Sequence, residues 1–553
     1  MNDTDYTIKT KPKEIWEEYE SGRTFKDAIG LYDEVEVNEN MYVGKQWEGV
    51  NAPDLPKPVI NVTHLVVSWA LAQIVSDDIA VSFSALRKND DIAVIAEGLR
   101  AEISRVFEIT NAKQKNRMVA RNGAVHGDCA KYYYFDPDVE NGQPVKGELR
   151  SDIIEGRNVI FGNPYNKNVQ EQPYNILVQR MLVSEARAEA RKYGIHDKYV
   201  QMIVADDNEN IQELSDEYDH CTVLIKQWRK NGTIWATKTT QNAPIRKPFD
   251  TGLKRYPIAW FVWEEVSDQF HGRSIVTGLV QNQISINQIM AMYIRNIQMS
   301  AWPKTIYDKD KFPGGWSNAV GKAIAYSGQG GMNDRITDHF HVVRGGDSSN
   351  QAMEAIRELI SQIKEQIGAS DAALGNVRPD NAQAIIAASQ QAGVPMELPK
   401  LNFKDYVEQE ARVIVDLMRN HYGKREVAAE SFKTADGAIL TDAAGEPVKT
   451  IEFDFAKLDS PNTRLNVDVG TAAYWNEIMQ IQTLDGLFQN GIIDAKLYVE
   501  STPDHYIPNK AKILEALKQR EAMQQAVQPE GQQTAMPQLS PGNTQQTPGS
   551  VFQ

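Results

Sequence analysis

The sequence predicts an α+β fold, mainly helical, with a small β module inserted between two long helices. Three observations carry this. Apolar residues recur at helical spacing in several segments, as in Val62, Leu65, Val66, Trp69, Leu71 and Ile74, or Met353, Ile356, Leu359, Ile360, Ile363 and Ile367. Between Cys221 and Val262 the period becomes strand-like, with TVLIKQW, a turn at Asn231-Gly232, TIWATKTT and PIAWFVW. On either side stand a helix predicted over Asn175 to Tyr193, stopped by Gly194, and a nearly uncharged one from about Ser274 to Ser300, ended at Trp302-Pro303.

The remaining elements follow in order. Residues 1–23 read as a polar arm or short helix, YDEVEVNENMYVGKQW as a helix, and KPVINVTHLVVSWALAQIVSDD as a helix opening at Pro58. Asp91 to Thr110 is amphipathic, and AKYYYF through Phe161 reads as a small antiparallel sheet turning at Asn141-Gly142. After a Gly-rich stretch, Pro313 to Gly331, come the helix ending at Gly368, the loop ASDAALGNVRPDN and an alanine-rich helix, NAQAIIAASQQAG. A long helix follows from Phe403 to Tyr422, then β-type sequence over 425–470 turning near Asp436-Gly437, then helices between Ala473 and Ala526. Residues 528–553 hold seven Gln, four Pro, three Gly and one charge, a composition that favours disorder.

Composition limits the function. The 553 residues include 59 Lys+Arg and 74 Asp+Glu, a formal charge of −15. That surplus of acid argues against tight non-specific DNA binding, which rests on neutralised phosphates, though not against DNA passing by. Cys129 and Cys221 are too few for a disulfide framework or a multi-Cys zinc site, which fits a reducing compartment. The N-terminus has no apolar signal core. The uncharged run Ser274–Ile294 is too rich in Asn and Gln to face lipid. The expectation is a soluble, cytoplasmic protein that spans no membrane.

Catalytic signatures are missing. Lys45, Lys322 and Lys424 each follow a glycine, but Gln, Ala and Arg come next, so no phosphate-binding GxxxxGK[ST] loop exists. GxGxxG opening a strand-turn-helix unit, GxSxG and HExxH are absent as well. His126-Gly-Asp128-Cys129 and His339-Phe-His341 are the best metal-like clusters. The second places two histidines on one strand face without a third ligand, and Cys129 reads as a small core residue before an apolar strand. The sequence therefore predicts no catalytic residue, no metal and no cofactor. In GLVQNQISINQIMAMYIRNIQ, Gln281, Asn282, Asn287 and Gln288 interleave with apolar residues around a helix whose one charge is Arg295. Such amides either meet another subunit or form the polar ridge of a core helix.

Several segments resemble the portal (head-to-tail connector) proteins of tailed phages, the larger portals of short-tailed-type phages in particular. YVGKQW before KPVINVTHLV resembles that family's opening. FHGRSIVTGLVQNQISINQIMAMYIRNIQMSAWPK is similar to its Gly-x-Ser, Gln-x-x-Ile-Asn and terminal Pro-Lys pattern. IGASDAALGNVRPDNAQAIIAASQQAG resembles its loop and alanine-rich helix, and RLNVDVGTAAYWNEIMQIQTLDGLFQNGIIDAKLYVE its C-terminal helices. One departure is Asp380-Asn381 where the family often has Ser-Gly.

The resemblance implies a portal fold assembling as a homododecamer, a ring of about twelve copies. An N-terminal arm (1–23) would precede a wing (24–173, 301–350), and stem helices (174–196, 274–300) would flank the β clip (197–273). Tunnel-loop helices (351–402), a wing and crown base (403–470), crown helices (471–527) and a disordered tail (528–553) would complete the chain. About twelve stem helices abreast, packed about 8–10 Å apart, leave an opening of roughly 28 Å once about half a helix diameter is removed on each side. A duplex passes through that. Asn376, Arg378, Asn381 and Gln383 would face DNA in the tunnel. Trp228, Lys230, Trp235 and Lys238 would meet partners at the clip, and Gln281, Asn282, Asn287 and Gln288 a neighbouring subunit at the stem. The implied partners are further copies of the chain, double-stranded DNA, the terminase large subunit, major capsid and scaffolding proteins, and tail or adaptor proteins. The implied location is the virion's capsid vertex, with host cytoplasm during assembly. A head-completion or tail adaptor ring is the alternative, and beyond it a metal-dependent hydrolase using His126, Asp128, His339 and His341.

Overall fold

A computed structural model describes residues 8–75, 80–85, 90–206, 219–301, 304–317, 323–327, 335–343, 349–368, 394–428, 440, 448–459, 463–468 and 483–502, with single positions between 513 and 517. The chain divides into two compact units, 1–469 and 470–553.

In the first unit the described helices are α1 (Pro12–Ala28), α2 (Leu31–Val43), α3 (Val62–Val75), α4 (Asp90–Ile109), α5 (Ala112–His126), α6 (Val183–Lys192), the single turn α7 (Asp197–Val200), α8 (Val280–Ala301), α9 (Ser349–Gln366) and α10 (Glu397–His421). Mixed helix and sheet agrees with the α+β expectation. Strand β9 (Ile258–Val262) and β3 (Glu148–Glu155) flank β2 (Asp128–Asp136) in an antiparallel sheet. A second, five-stranded sheet runs β4 (Val159–Phe161), β5 (Tyr174–Leu182), β6 (His220–Lys230), β7 (Thr233–Thr239) and β8 (Pro244–Asp250). Two-stranded ladders join β1 (Ala80–Ala85) to β16 (Thr463–Asp468), β10 (Glu264–Glu265) to β11 (Gly272–Arg273), β12 (Lys304–Tyr307) to β13 (Phe340–Val343) and β14 (Lys424–Ala428) to β15 (Thr450–Asp454).

The main core lies where α10 crosses the β2–β9 sheet. Phe403, Tyr406, Val407, Ile414 and Met418 of α10 pack with Phe261, Trp263, Val66, Val67, Ile103 and Val119. Their spacing along α10 is the helical one, so one face is buried and the charged face is left outside.

Two expectations are corrected. The helix expected from Asn175 to Tyr193 is a strand up to Leu182 and a helix only from Val183 to Lys192. Its first half pairs residue for residue with β6, from Tyr174 opposite Trp228 to Leu182 opposite His220. Neighbouring side chains enter different cores: Ile176 packs with Ile15, Ile160 and Leu224, Leu177 with Phe161, Ile225 and Trp260. A strand buried on both faces reads as a continuous apolar run, which periodicity alone does not separate from a helix. PIAWFVW, in turn, is not the third strand of the β module but pairs with β2. Its place beside β7 is taken by β8, PIRKPFD, whose prolines and charges suit an edge strand and hid it.

Within the segment expected as a polar arm or short helix, the described part is helical from Pro12. Helix α1 is fastened to the five-stranded sheet by two buried lysines, one from each side. Lys26 donates from Nζ to the carbonyls of Gly156 (3.1 Å), Arg157 (2.8 Å) and Val159 (2.6 Å). Lys226 of β6 donates to Glu18 Oε2 (2.6 Å) and the Lys9 carbonyl (2.9 Å), with Nζ 4.6 Å from the Tyr174 ring centre. Burial pushes Lys26 down to about 7, with Asp128 pulling the other way. In the unfolded chain the ordinary value is about 10.4. Between about 7 and 10 the unfolded chain therefore holds more protons, and stability rises with pH through that window. Lys26→Met is expected to remove this rise and to leave three carbonyls without a donor, at about 1–3 kcal/mol. Thermal melts of both proteins at several pH values check it, and parallel pH profiles would show that Lys26 is not the group responsible.

In the second unit, residues 483–489 and Ala495–Ser501 are helical, in line with the helices expected there. Asp494 caps the latter by accepting from the Leu497 N–H (2.8 Å). The Gln/Pro-rich tail lies outside the described residues. Among the described residues no helix is long and apolar enough to cross a membrane.

Candidate functional site

The sequence boxes at 42–61 and 281–288 fold into one polar knot. Helix α2 ends at Gly44, whose φ of +90° turns the chain back in a way that favours glycine. That reversal sends Gln46 and Trp47 toward the start of α3. Gln46 donates to the Met41 carbonyl (3.0 Å) and Asn61 Oδ1 (3.1 Å), Asn61 donates to the Tyr42 carbonyl (2.9 Å), and Trp47 Nε1 donates to the Pro58 carbonyl (2.7 Å). Asn61 also accepts from the His64 N–H (2.9 Å), the N-cap geometry that starts α3 near Val62 rather than at Pro58.

Helix α8 closes the knot. Gln283 Oε1 accepts from the Val62 N–H (3.0 Å) and Thr63 N–H (3.2 Å), while its Nε2 donates to the Ile60 carbonyl (2.7 Å) and Asn287 Oδ1 (3.1 Å). Asn287 Nδ2 donates to Gln46 Oε1 (2.6 Å). So Asn287, 3% exposed, has its amide engaged inside its own chain. Asn282 is half-buried, and Gln281 and Gln288 are exposed. Of the two alternatives for these amides, the core ridge holds for Gln283 and Asn287, and the outer face stays open for Gln281 and Gln288.

The Asn231-Gly232 turn forms as its residues predict, with φ of +53° and +83° at the tip of the β6–β7 hairpin. Trp228 is only 2% exposed and lies opposite both Tyr174 and Trp235, so it belongs to the sheet rather than to a surface. Lys230 is exposed and sits 4.8 Å from the ring centre of half-buried Trp235. Lys238 reaches back to Glu189 of α6 (2.6 Å). Asn376, Arg378, Asn381 and Gln383 lie outside the described residues.

The metal-like clusters separate. His126 Nε2 meets Glu39 Oε2 (3.0 Å), whereas Asp128 turns to His271 Nδ1 (2.7 Å) and the Gly272 N–H (3.1 Å). Gly156 is what lets Asp128 fit, because a Cβ there would fall 1.4 Å from its Oδ1. Burial pushes the Cys129 thiol well up, as expected for a core residue rather than a nucleophile. His339 lies 3.5 Å from Asp308, and His341 is exposed on β13 opposite Ile306. Among the described residues no group of three or more His, Cys, Asp or Glu side chains is placed to hold a metal ion.

Sequence reasoning missed the buried ionic groups. Lys131 and Glu410 are fully buried and 2.5 Å apart, linking β2 to α10. Arg425 of β14 lies against Glu148 (3.3 Å), which also meets Arg105 of α4 (3.2 Å). One signal was available: in AKYYYF, Lys131 and Tyr133 alternate onto one strand face, and a lysine in an inward register requires a partner.

A family model for the phage P22-like portal protein matches residues 170–440. That match supports a phage portal protein. The match begins just before β5 and runs through the five-stranded sheet, α8, α9 and α10 to the segment after β14. Gln283 and Asn287 of the portal segment thus hold residues 46–63, which precede it. A search of curated proteins finds no match. Portal proteins as a family are structural rather than enzymatic.

Proposed function

We propose that the chain forms the ring at one capsid vertex through which double-stranded DNA is packaged and later ejected. The observation that carries this is the portal family match, which spans the β module and the helices beside it. In this reading the terminase large subunit docks during packaging, tail or adaptor proteins dock afterwards, and major capsid and scaffolding proteins surround the ring. ATP-driven work belongs to the terminase, since no phosphate-binding loop stands in this sequence. A head-completion or tail adaptor ring would leave the matched β module unexplained.

Helix α8 supports a subunit contact. Its exposed Gln281, Gln288, Met292, Arg295 and Met299 recur at intervals of seven, four, three and four, which places them on one face. Asn287 is not part of that face. At the hairpin, Lys230 and Trp235 remain as partner-facing residues. Asn376, Arg378, Asn381 and Gln383 are proposed to touch DNA, the arginine at phosphate and the amides without sequence preference. An acid-rich ring suits this task, because a Debye length of about 10 Å confines its repulsion and its few basic contacts alike.

Electron microscopy of the purified full-length chain, alone and with capsid partners, is the test. Rings with a central channel wide enough for a duplex are expected. Monomers or dimers at every concentration and with every partner would overturn the portal reading.

A further inference from the structure

Helix α8 ends at Ala301 and β12 begins at Lys304, while β13 ends at Val343 and α9 begins at Ser349. The β12–β13 ladder therefore stands at one end of α8 and α9, which pack against each other. Alternation gives the ladder two unlike faces. Tyr307 lies opposite Phe340, and the Trp316 ring centre is 5.3 Å from that of Phe340 and 6.3 Å from that of Tyr307. Phe312, 2% exposed, completes this aromatic side. On the other side Ile306 lies opposite His341, and both are exposed, Ile306 by 65%.

This ladder has little support within its own copy. None of its described residues belongs to the apolar cores of the unit. Ahead of it, every residue in the last turn of α8, Ile297 to Ala301, is exposed. Among the described residues β12 and β13 pair only with each other. Each strand thus keeps one edge whose backbone N–H and C=O groups point outward, a template for a further strand. Two strands alone are marginal in water. The residues nevertheless favour a sheet: Thr305, Ile306, Tyr307, Phe340 and Val342 are β-branched or aromatic.

We infer that β12 and β13 pair with the β13 and β12 of adjacent copies, so that the ladders join into one antiparallel sheet. The inference rests on the portal reading, and two features of the ladder select another copy as its occupant. One is width. Strands about 4.7–4.9 Å apart make a two-stranded ladder repeat every 9–10 Å or so. That matches the about 8–10 Å at which α8 helices standing abreast in a ring repeat. Ladders carried on those helices arrive about one strand spacing apart. The other is direction. Rotation about a ring axis leaves strand direction unchanged, so β13 of one copy meets β12 of the next antiparallel, as it does within its own copy. Ile306 and His341 then form a continuous row of cross-strand neighbours.

The test compares the free full-length chain with assembled rings. Backbone hydrogen exchange at residues 304–307 and 340–343 is expected to slow several-fold on assembly. For a second readout, Ile306→Cys chains are co-assembled with His341→Cys or Val343→Cys chains and oxidised; the native Cys129 and Cys221 are buried. Each chain carries one introduced thiol, so any new disulfide joins different copies. Mixed rings are expected to give linked dimers. Rings of one variant are not, because like positions lie a full repeat apart, beyond the about 7 Å that a disulfide bridges. Rings that form without slower exchange, or whose mixed and single-variant forms link alike, overturn this inference and leave the portal reading standing. Protection that appears only when terminase or a tail protein is added overturns it too. A failure of the unmodified chain to form rings overturns both.

Discussion

Glu410→Ala is expected to destabilise the first unit by about 3–5 kcal/mol, the largest effect of any single substitution considered. Glu410 Oε1 accepts from Lys131 Nζ (2.5 Å) and from the Tyr133 hydroxyl, and Oε2 from Asn116 Nδ2 (3.3 Å). Asn116 Oδ1 accepts in turn from Lys131 (2.9 Å) and the Tyr406 hydroxyl (3.2 Å). Burial first and Glu410 second push both tyrosines well above their ordinary range, so their hydroxyls stay protonated donors. Without the carboxylate, the Lys131 ammonium sits in the core with an amide oxygen in place of its counter-ion. The double variant Lys131→Met/Glu410→Leu is expected to recover most of the loss, because removing both charges also removes their desolvation cost. Denaturant unfolding of the three proteins decides the matter. A single variant within about 1 kcal/mol of the parent, the scale of an exposed pair, would show that the network does not hold α10 to β2.

Gln283→Leu is expected to cost about 1–3 kcal/mol, chiefly from the buried Thr63 N–H left without an acceptor. The leucine fills similar space, so the loss reads the hydrogen bonds rather than a cavity. Thr63 loses the acceptor of its N–H, Val62 keeps only the Ile60 carbonyl (2.9 Å), and that carbonyl loses one of its two donors. Those are first-turn groups of α3 and its entry, which no intrahelical bond can satisfy. Gln281→Leu, on the exposed side of the same helix, is expected to leave stability within about 0.5 kcal/mol. Hydrogen exchange at residues 60–66 should rise in Gln283→Leu and not in Gln281→Leu. Equal protection in both would remove the knot as the reason these amides stand where they do.

Much of the fold was legible because local chemistry settled it. α4 and α10 carry apolar stripes at helical spacing, α9 ends before Gly368 at a φ of +73°, and the Asn231-Gly232 hairpin forms as written. Less was legible where burial acts on two sides. β5 looked helical because Ile176 and Leu177 are both apolar, and only their entry into separate cores distinguishes strand from helix. The candidate site divided in the same way. The motif residues Gln46, Asn61, Gln283 and Asn287 were recognisable as unusual, yet nothing in their spacing says that they meet one another.

The sequence by itself determined the α+β class, the caps and turns, the missing nucleotide-binding and hydrolase motifs, and the family. These depend on residues a few positions apart, or on the order of short boxes along the chain. Only the tertiary structure decided which amides of α8 are engaged and which are exposed, where PIAWFVW pairs, and that two buried lysines fasten the first helix to a sheet. Each of those depends on contacts between residues far apart in sequence: Lys26 with 156–159, Lys226 with Glu18, Ala130 with Trp260, and Gln46 with Asn287. Such pairs leave no local period, because their free energy arises only once folding has removed water from both partners.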